Sequence, residues 1–248
     1  MKTETESNLV YKHDLFKGEA FQLFYSFTQP LIRENLRSGD VLIDLGCGDG
    51  LLTINLAETV PLKRAFGIDI REEVISQAKA YSQDKKNCEF YCENAENLDF
   101  LKRFGNVDAI LARTSLHHFK NPVESLLELS KQLNKNGRLI VVDIDCESSC
   151  FTLFGFPLSL LITWFFVAKK IGIKNVARAI RAIKYPSKEW REHRAQDHSR
   201  WKKIGWYRFR DIRRKLQSAF PESKVGRLAS FLGFGGVYYF IYEKNQDD

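Results

Sequence analysis

The sequence predicts an α/β protein built on a doubly wound, mainly parallel sheet, and three observations carry that expectation. Val41–Leu45 is an apolar run that enters Gly46-Cys47-Gly48-Asp49-Gly50, after which Leu51, Leu52, Ile54, Leu56 and Ala57 take up a helical spacing. A second apolar run, Arg64–Ile68, ends at the acid Asp69. Beyond it, short apolar runs alternate with amphipathic stretches, the order expected of β–α–β units.

Strand, tight glycine turn and helix start together make a ligand cradle. Glycines at spacing two lack Cβ atoms, so the backbone can approach a ligand closely and adopt unusual φ values. The free N–H groups of the helix start suit electron-rich ligand atoms. An acid at the end of the second strand lies beside that turn, placed to accept hydrogen bonds from ribose hydroxyls. A nucleoside-containing ligand is therefore expected, and the spacing alone leaves open which one.

Asp44-Leu45-Gly46-Cys47-Gly48-Asp49-Gly50 resembles the first motif of class I S-adenosylmethionine-dependent methyltransferases. Dinucleotide enzymes more often set their third glycine one residue later. Gly67-Ile68-Asp69, Glu93-Asn94-Ala95-Glu96, Val107-Asp108-Ala109-Ile110, Leu116-His117-His118-Phe119 and Asn136-Gly137-Arg138-Leu139 match the same family in order. The resemblance covers roughly residues 38–145 and is closest to the small-molecule branch (type 11/25-like). It implies a Rossmann-like seven-stranded sheet with an antiparallel C-terminal strand, and S-adenosyl-L-methionine as cofactor.

The resemblance also implies roles for single residues. Gly46, Cys47, Gly48 and Gly50 shape the cofactor turn, and Asp44 orients it or meets the methionine ammonium through water. Asp69, with Ile70 beside it, binds the ribose; Asn94, Ala95 and Glu96 stand where the adenine ring is usually met, Asn94 being the better polar candidate. Arg113 is a cofactor-side or salt-bridge residue. His117 and His118 follow the fourth strand, where an imidazole titrating near neutral pH can act as a general base or simply pack over the cofactor.

In chain order, residues 1–37 read as an N-terminal helical cap, a mobile arm followed by two Phe-rich helical pieces interrupted by Pro30. In relatives such a segment often covers the cofactor, which would bring Tyr11 and His13 to the site; the Phe-rich face favours the other reading, packing against the sheet. Residues 38–145 are the cofactor-binding core. Within it Glu72–Ser82 is expected as a helix, Cys88–Cys92 as the third strand and Val107–Ala112 as the fourth. A helix then runs from Asn121-Pro122 to Leu133. Asn136-Gly137 turns the chain into a fifth strand, Arg138–Ile144, with glycine supplying the positive φ of the turn.

Residues 150–205 read as a helical lid inserted after the fifth strand. Cys150–Ala168 contains no charged residue, but Gly155 and Pro157 leave only eleven uninterrupted residues before Lys169-Lys170, short of a membrane span. Lys169–Arg194 is basic and amphipathic, and a helix there would put His193, Asp197 and Trp201 on one face. Residues 206–248 supply a helix, Phe209–Phe220, and two last strands, Lys224–Ala229 and Val237–Glu243.

Composition limits the function classes. The 248 residues, 44% of them apolar, suit a single methyltransferase domain with its insertion. Met1–Asn8 is polar and lacks the apolar core of a signal peptide. Five cysteines, an odd number, point to thiols and a cytoplasmic setting; Cys88/Cys92 and Cys146/Cys150 fit zinc spacing poorly, so no metal is expected. Charge is uneven: residues 1–150 hold 18 Lys and Arg against 23 Asp and Glu, whereas residues 151–248 hold 20 against 8. A basic C-terminal third beside an apolar lid suits an anionic membrane surface, giving a peripheral contact.

The expected activity is transfer of a methyl group to a small, lipophilic acceptor, with oxygen favoured as the acceptor atom. A homodimer is another way to cover the apolar lid. The competing readings are an RNA or protein methyltransferase using the basic third, and a catalytically silent cofactor-binding subunit. Nucleic acid is the weaker partner, because Arg113-Thr114-Ser115-Leu116 lacks the Asn/Asp-Pro-Pro-aromatic motif of amino-directed nucleic-acid enzymes and no Pro-Cys nucleophile is present.

Overall fold

The computed structural model describes residues 28–145, 199–206, 208–231 and 235–245. They form one seven-stranded sheet. Its strands are β1 (Val41–Leu45), β2 (Arg64–Asp69), β3 (Cys88–Cys92), β4 (Val107–Arg113), β5 (Leu133–Ile144), β6 (Lys224–Phe231) and β7 (Gly235–Glu243). The spatial order is β3-β2-β1-β4-β5-β7-β6. Strands β1 to β5 pair in parallel, and β7 runs antiparallel to both β5 and β6. The order reverses at β1, so the crevice between β1 and β4 lies at the switch point where such sheets bind ligands.

Helices cover both faces, which is why the central strands are mostly apolar rather than alternating, with Asp44, Arg113 and Asp143 as buried exceptions. Period-two geometry divides each strand between two cores. Leu42, Ala65, Leu111, Ile140 and Val142 face one core with Leu52 and Leu56 of α2 (Leu51–Thr59) and Ile75 and Ala78 of α3 (Glu72–Tyr81). Ile32, from a helical stretch at 28–34 here termed α1, joins them. Ile43, Leu45, Ile110, Leu139 and Val141 face the other, with Leu126 and Leu129 of α4 (Pro122–Ser130) and Ile212 and Leu216 of α5 (Phe209–Ala219). Trp201 and Trp206 are buried in this second core.

The seven-stranded arrangement and its antiparallel C-terminal pair are as expected; the boundaries near β5 are not. That strand begins at Leu133, five residues early. Val107 pairs with Leu133 but Ala109 pairs with Arg138, so the extra residues form a bulge inside the strand. Leu133 therefore belongs to the sheet, and α4 ends at Ser130. The positive φ in this bulge is Asn136's, at 59°, not Gly137's. Asn tolerates the left-handed region, while a Cβ on Gly137 would lie 2.8 Å from the Asn134 carbonyl oxygen.

The N-terminal arm with Tyr11 and His13, Cys146/Cys150, His193, Asp197 and the lid as far as residue 198 lie outside the described residues. Among the described residues no helix is long and apolar enough to cross a membrane.

Candidate active site

The loop after β1 is fixed by its glycines. Gly46, Gly48 and Gly50 all have left-handed φ, at 74°, 59° and 73°. Side chains there are resisted by more than strain: a Cβ on Gly46 would fall 2.5 Å from Ser115 Cβ, and one on Gly50 2.6 Å from the Phe90 ring. A Cβ on Gly48 would meet only Arg71 Nη2, at 3.9 Å, so this part of the turn faces open space. The N–H groups of Gly46 and Cys47 donate to the Ile68 carbonyl (2.7 and 3.0 Å), tying the turn to β2. Gly50 caps α2, whose first turn carries no acid of its own. At that helix start the Asp49 carboxylate accepts the Leu51 N–H (3.3 Å), and the positive helix end also suits a ligand's electron-rich atoms.

Two buried carboxylates flank the turn. Asp44 is 2% exposed and accepts a hydrogen bond from Thr53 Oγ1 at 2.5 Å. Burial pushes its carboxyl up to about 6; the Thr53 bond and the charge of Arg113 oppose that rise, and Asp69 adds to it. Asp69 accepts from the Gly48 N–H at 3.0 Å, and from the backbone N–H, Nε and Nη2 of Arg71 at 3.0, 3.0 and 3.2 Å. Ile70 beside it is 68% exposed, an apolar surface where a ring can rest. Arg113 is buried at the end of β4. The next residue, Thr114, has φ 51°, held by its N–H donating to the Val142 carbonyl and its hydroxyl donating to that of Arg113. A β-branched residue in this region is strained by about 1–2 kcal/mol, and such strain collects at functional sites.

The second centre lies just beyond. Ser115 donates its hydroxyl to the Leu45 carbonyl (2.6 Å), which sets the turn Leu116–His118 against the glycine loop. There the His117 ring meets Asp143 of β5, with Nδ1 2.6 Å from Oδ1 and the His117 N–H donating to Oδ2 at 2.8 Å. Asp143 is fully buried and His117 nearly so. A carboxylate on Nδ1 assigns the hydrogen to that nitrogen and leaves the lone pair on Nε2. His118 is exposed, its ring centroid 4.0 Å from that of His117. Trp201 donates its Nε1–H to the His117 carbonyl (2.8 Å) and sets its ring edge-on to the imidazole; Arg200 donates to the same carbonyl (2.9 Å).

These residues fit a nucleoside with an amino-acid end. The carboxylates Asp44 and Asp69 are acceptors of the kind an ammonium and a diol require, Arg113 carries the opposite charge, and the glycine turn is open at Gly48. Arg71 lies on Asp69 in this structure, so a ribose there would share or displace it.

The structure brings Asp44, Gly46, Cys47, Gly48, Gly50, Asp69, Ile70 and Arg113 together around the β1 turn. Cys47 is buried, and burial pushes its thiol up. Asn94 and Ala95 follow β3, where the exposed Asn94 accepts the Glu96 N–H on its own side-chain oxygen (3.0 Å). Glu96 precedes the helical turn Leu98–Leu101, and its carboxylate accepts the Lys120 N–H (2.9 Å), bracing the loop after His118. Sequence reasoning missed Asp143, Thr53, Arg71 and the role of Trp201. Asp143 alone left a trace, as an acid inside the apolar run Leu139–Ile144. Cys88 is buried and Cys92 exposed, and among the described residues no cluster of His, Cys, Asp and Glu could hold a metal.

A family model for a methyltransferase domain matches residues 36–197. Malonyl-[acyl-carrier protein] O-methyltransferase of Bacillus anthracis is 29% identical over 52% of this chain and 46% of its own length. The 27-O-demethylrifamycin SV methyltransferase of Amycolatopsis mediterranei is 31% identical over 44% of this chain and 40% of its own. The chain spans about half, or less, of the length of the curated relatives it matches. Among solved structures, the plantazolicin methyltransferase BpumL in complex with SAH superposes with a TM-score of 0.60 at 16% identity, over 98% of this chain and 92% of that one. Magnesium protoporphyrin IX methyltransferase of Synechocystis PCC 6803, with bound SAH, gives 0.50 at 19% identity, over 89% and 82%. At these identities the likeness is one of fold.

Proposed function

Since this chain belongs to the methyltransferase-domain family and is a class I S-adenosylmethionine-dependent enzyme, we propose that it methylates a small, lipophilic acceptor at oxygen, with His117 and Asp143 handling the acceptor's proton. The observation that carries this reading is the buried His117–Asp143 pair, built from the ends of β4 and β5 against the cofactor turn.

S-adenosylmethionine, when bound, supplies a methyl group already activated by its sulfonium. The glycine turn and the N-terminus of α2 seat it, Asp69 with Ile70 takes the nucleoside, and Asp44 and Arg113 take the two charges of its methionine end. Asn94 and Ala95 border the adenine. The chain's remaining work is to orient the acceptor and remove water, since placement alone supplies much of the rate in such transfers. A hydroxyl acceptor must also lose a proton. His117 accepts it at Nε2, and the Asp143 carboxylate on Nδ1 stabilises the imidazolium that forms. His118 lies at the exposed rim of the same turn.

A small acceptor is supported by the 27-O-demethylrifamycin SV methyltransferase among its relatives. The experiment is transfer of labelled methyl from S-adenosylmethionine into a lysate of the source organism. Label in the organic-extractable fraction is expected. Label that precipitates with RNA or protein would overturn the acceptor class, and binding of S-adenosylhomocysteine with no transfer to any fraction would leave a silent cofactor-binding subunit.

A further inference from the structure

Helix α5 is built for its core face and against its own solvent face. Ile212 and Leu216, one turn apart, are fully buried. Around them Arg208, Arg210, Arg213, Arg214 and Lys215 are exposed, as are Lys202 and Lys203 in the short helical stretch 199–203 that precedes the helix. Residues 199–219 hold eight Lys and Arg and one acid, Asp211. Arg210 and Arg214 stand four apart on one face, a like-charge spacing that destabilises a helix. Arg208 stands at its N-cap and Arg210 in its first turn beside Asp211, where the helix dipole disfavours cations. Folding does not ask for this pattern. The segment 28–145 carries 15 Lys and Arg against 18 Asp and Glu, and α3 shows the ordinary order, with Glu72 and Glu73 in its first turn and Lys79 in its last.

The patch also borders the site. Arg200 and Trp201 reach His117, and α5 runs from that end of the sheet back to the start of β6, so its first turn lies toward the carboxyl ends of β4 and β5. Its chemistry selects the partner class. Among the described residues, the neighbouring Trp201 and Trp206 are buried and Phe209 is half-buried with the Arg227 guanidinium over its ring, which disfavours stacking on single-stranded nucleic acid. The helix's apolar residues are turned inward, so the face lacks the anchor that specific protein interfaces centre on. A broad cationic surface without anchors matches a layer of anionic head groups. In sequence it continues a basic run, Lys169–Arg194, that follows nineteen charge-free residues.

We infer that the cationic face of α5 and the short helical stretch 199–203 before it dock this protein on anionic lipid head groups. The inference rests on this surface and is independent of the His117–Asp143 reading.

Flotation of the full-length protein with vesicles of phosphatidylcholine alone, and with phosphatidylserine added, tests it. Binding to the anionic vesicles only, weakening as salt is raised, is expected. Each Lys or Arg near such a surface strengthens adsorption about fivefold, so the triple variant Arg210→Gln, Arg213→Gln, Arg214→Gln is expected to bind on the order of a hundredfold more weakly. An unchanged melting temperature and S-adenosylhomocysteine affinity in that variant establish that the fold is intact. Absence of binding, equal binding to neutral vesicles, or full binding by a correctly folded triple variant would each overturn the inference. So would tighter binding, lost in the same variant, to a duplex RNA of equal phosphate content, which would make the face a polynucleotide surface.

Discussion

The two ends of the candidate site are built in opposite ways. The cofactor end is made by backbone: a loop of five residues, three of them in left-handed conformations, carries most of its shape. The His117 end is made by side chains from three distant parts of the chain, the turn after β4, Asp143 in β5, and Arg200 and Trp201 beyond the insertion. A ligand bound at the first end meets a surface set by local sequence. Chemistry at the second depends on long-range packing, so the two ends should fail differently when mutated.

The largest expected effect is on turnover. His117→Ala, and Asp143→Asn, which keeps the shape but removes the charge on Nδ1, should lower the rate of methyl transfer about 10²–10⁴-fold. Cofactor affinity should change only a few-fold in either. Single-turnover kinetics on the identified acceptor separates rate from binding. Rates within a few-fold of wild type in both variants would make the pair structural and the chemistry a matter of placement alone.

Gly50→Ala strikes the other end. It combines left-handed strain with a collision against Phe90 and Ala78, and should cost about 2–5 kcal/mol of stability in urea titration. Gly39→Ala is the open-space control: its φ is 87° but nothing lies within 4 Å of the added Cβ. It should cost about 1–2 kcal/mol, from strain alone. Equal costs would mean that the turn is not tightly packed.

The same contrast explains what was legible in the sequence. The β1 turn, Asp69 and the succession of strands and helices were readable because glycine spacing and apolar runs are local signals, and the seven-stranded sheet followed from the family resemblance. Asp143 was not, because only the parallel pairing of β4 with β5 brings it to His117. Trp201 read as one face of a helix with His193 and Asp197, and its hydrogen bond to the His117 carbonyl comes from packing across the sheet. The β5 boundary was misread for a related reason. Asn136-Gly137 carries turn chemistry, and the fold uses it as a bulge within a strand.

A pH effect distinguishes the ends further. The folded value for Asp44, about 6, lies above its unfolded value near 3.8. Its contribution to stability is therefore fully present below 3.8 and is lost as pH rises through 6. Asp44→Asn removes that penalty and should raise the stability of the cofactor-free protein at neutral pH by up to about 3 kcal/mol. Affinity for S-adenosylhomocysteine should fall as pH drops through 6 in the wild type, because its ammonium favours the ionised carboxylate, and the variant should lose that slope. Thermal melts and calorimetry across pH 4.5–8 read both. A melting temperature in Asp44→Asn below wild type at neutral pH would contradict the assignment.

The division of labour is tested most directly by titrating S-adenosylhomocysteine into three proteins in one calorimetric series: wild type, Asp69→Ala and His117→Ala. The account predicts that the wild type binds, that Asp69→Ala loses about 1–3 kcal/mol of affinity because a buried acceptor of ligand hydrogen bonds is gone, and that His117→Ala stays within a few-fold of wild type. Failure of the folded wild type to bind, or a loss in His117→Ala larger than that in Asp69→Ala, would contradict it.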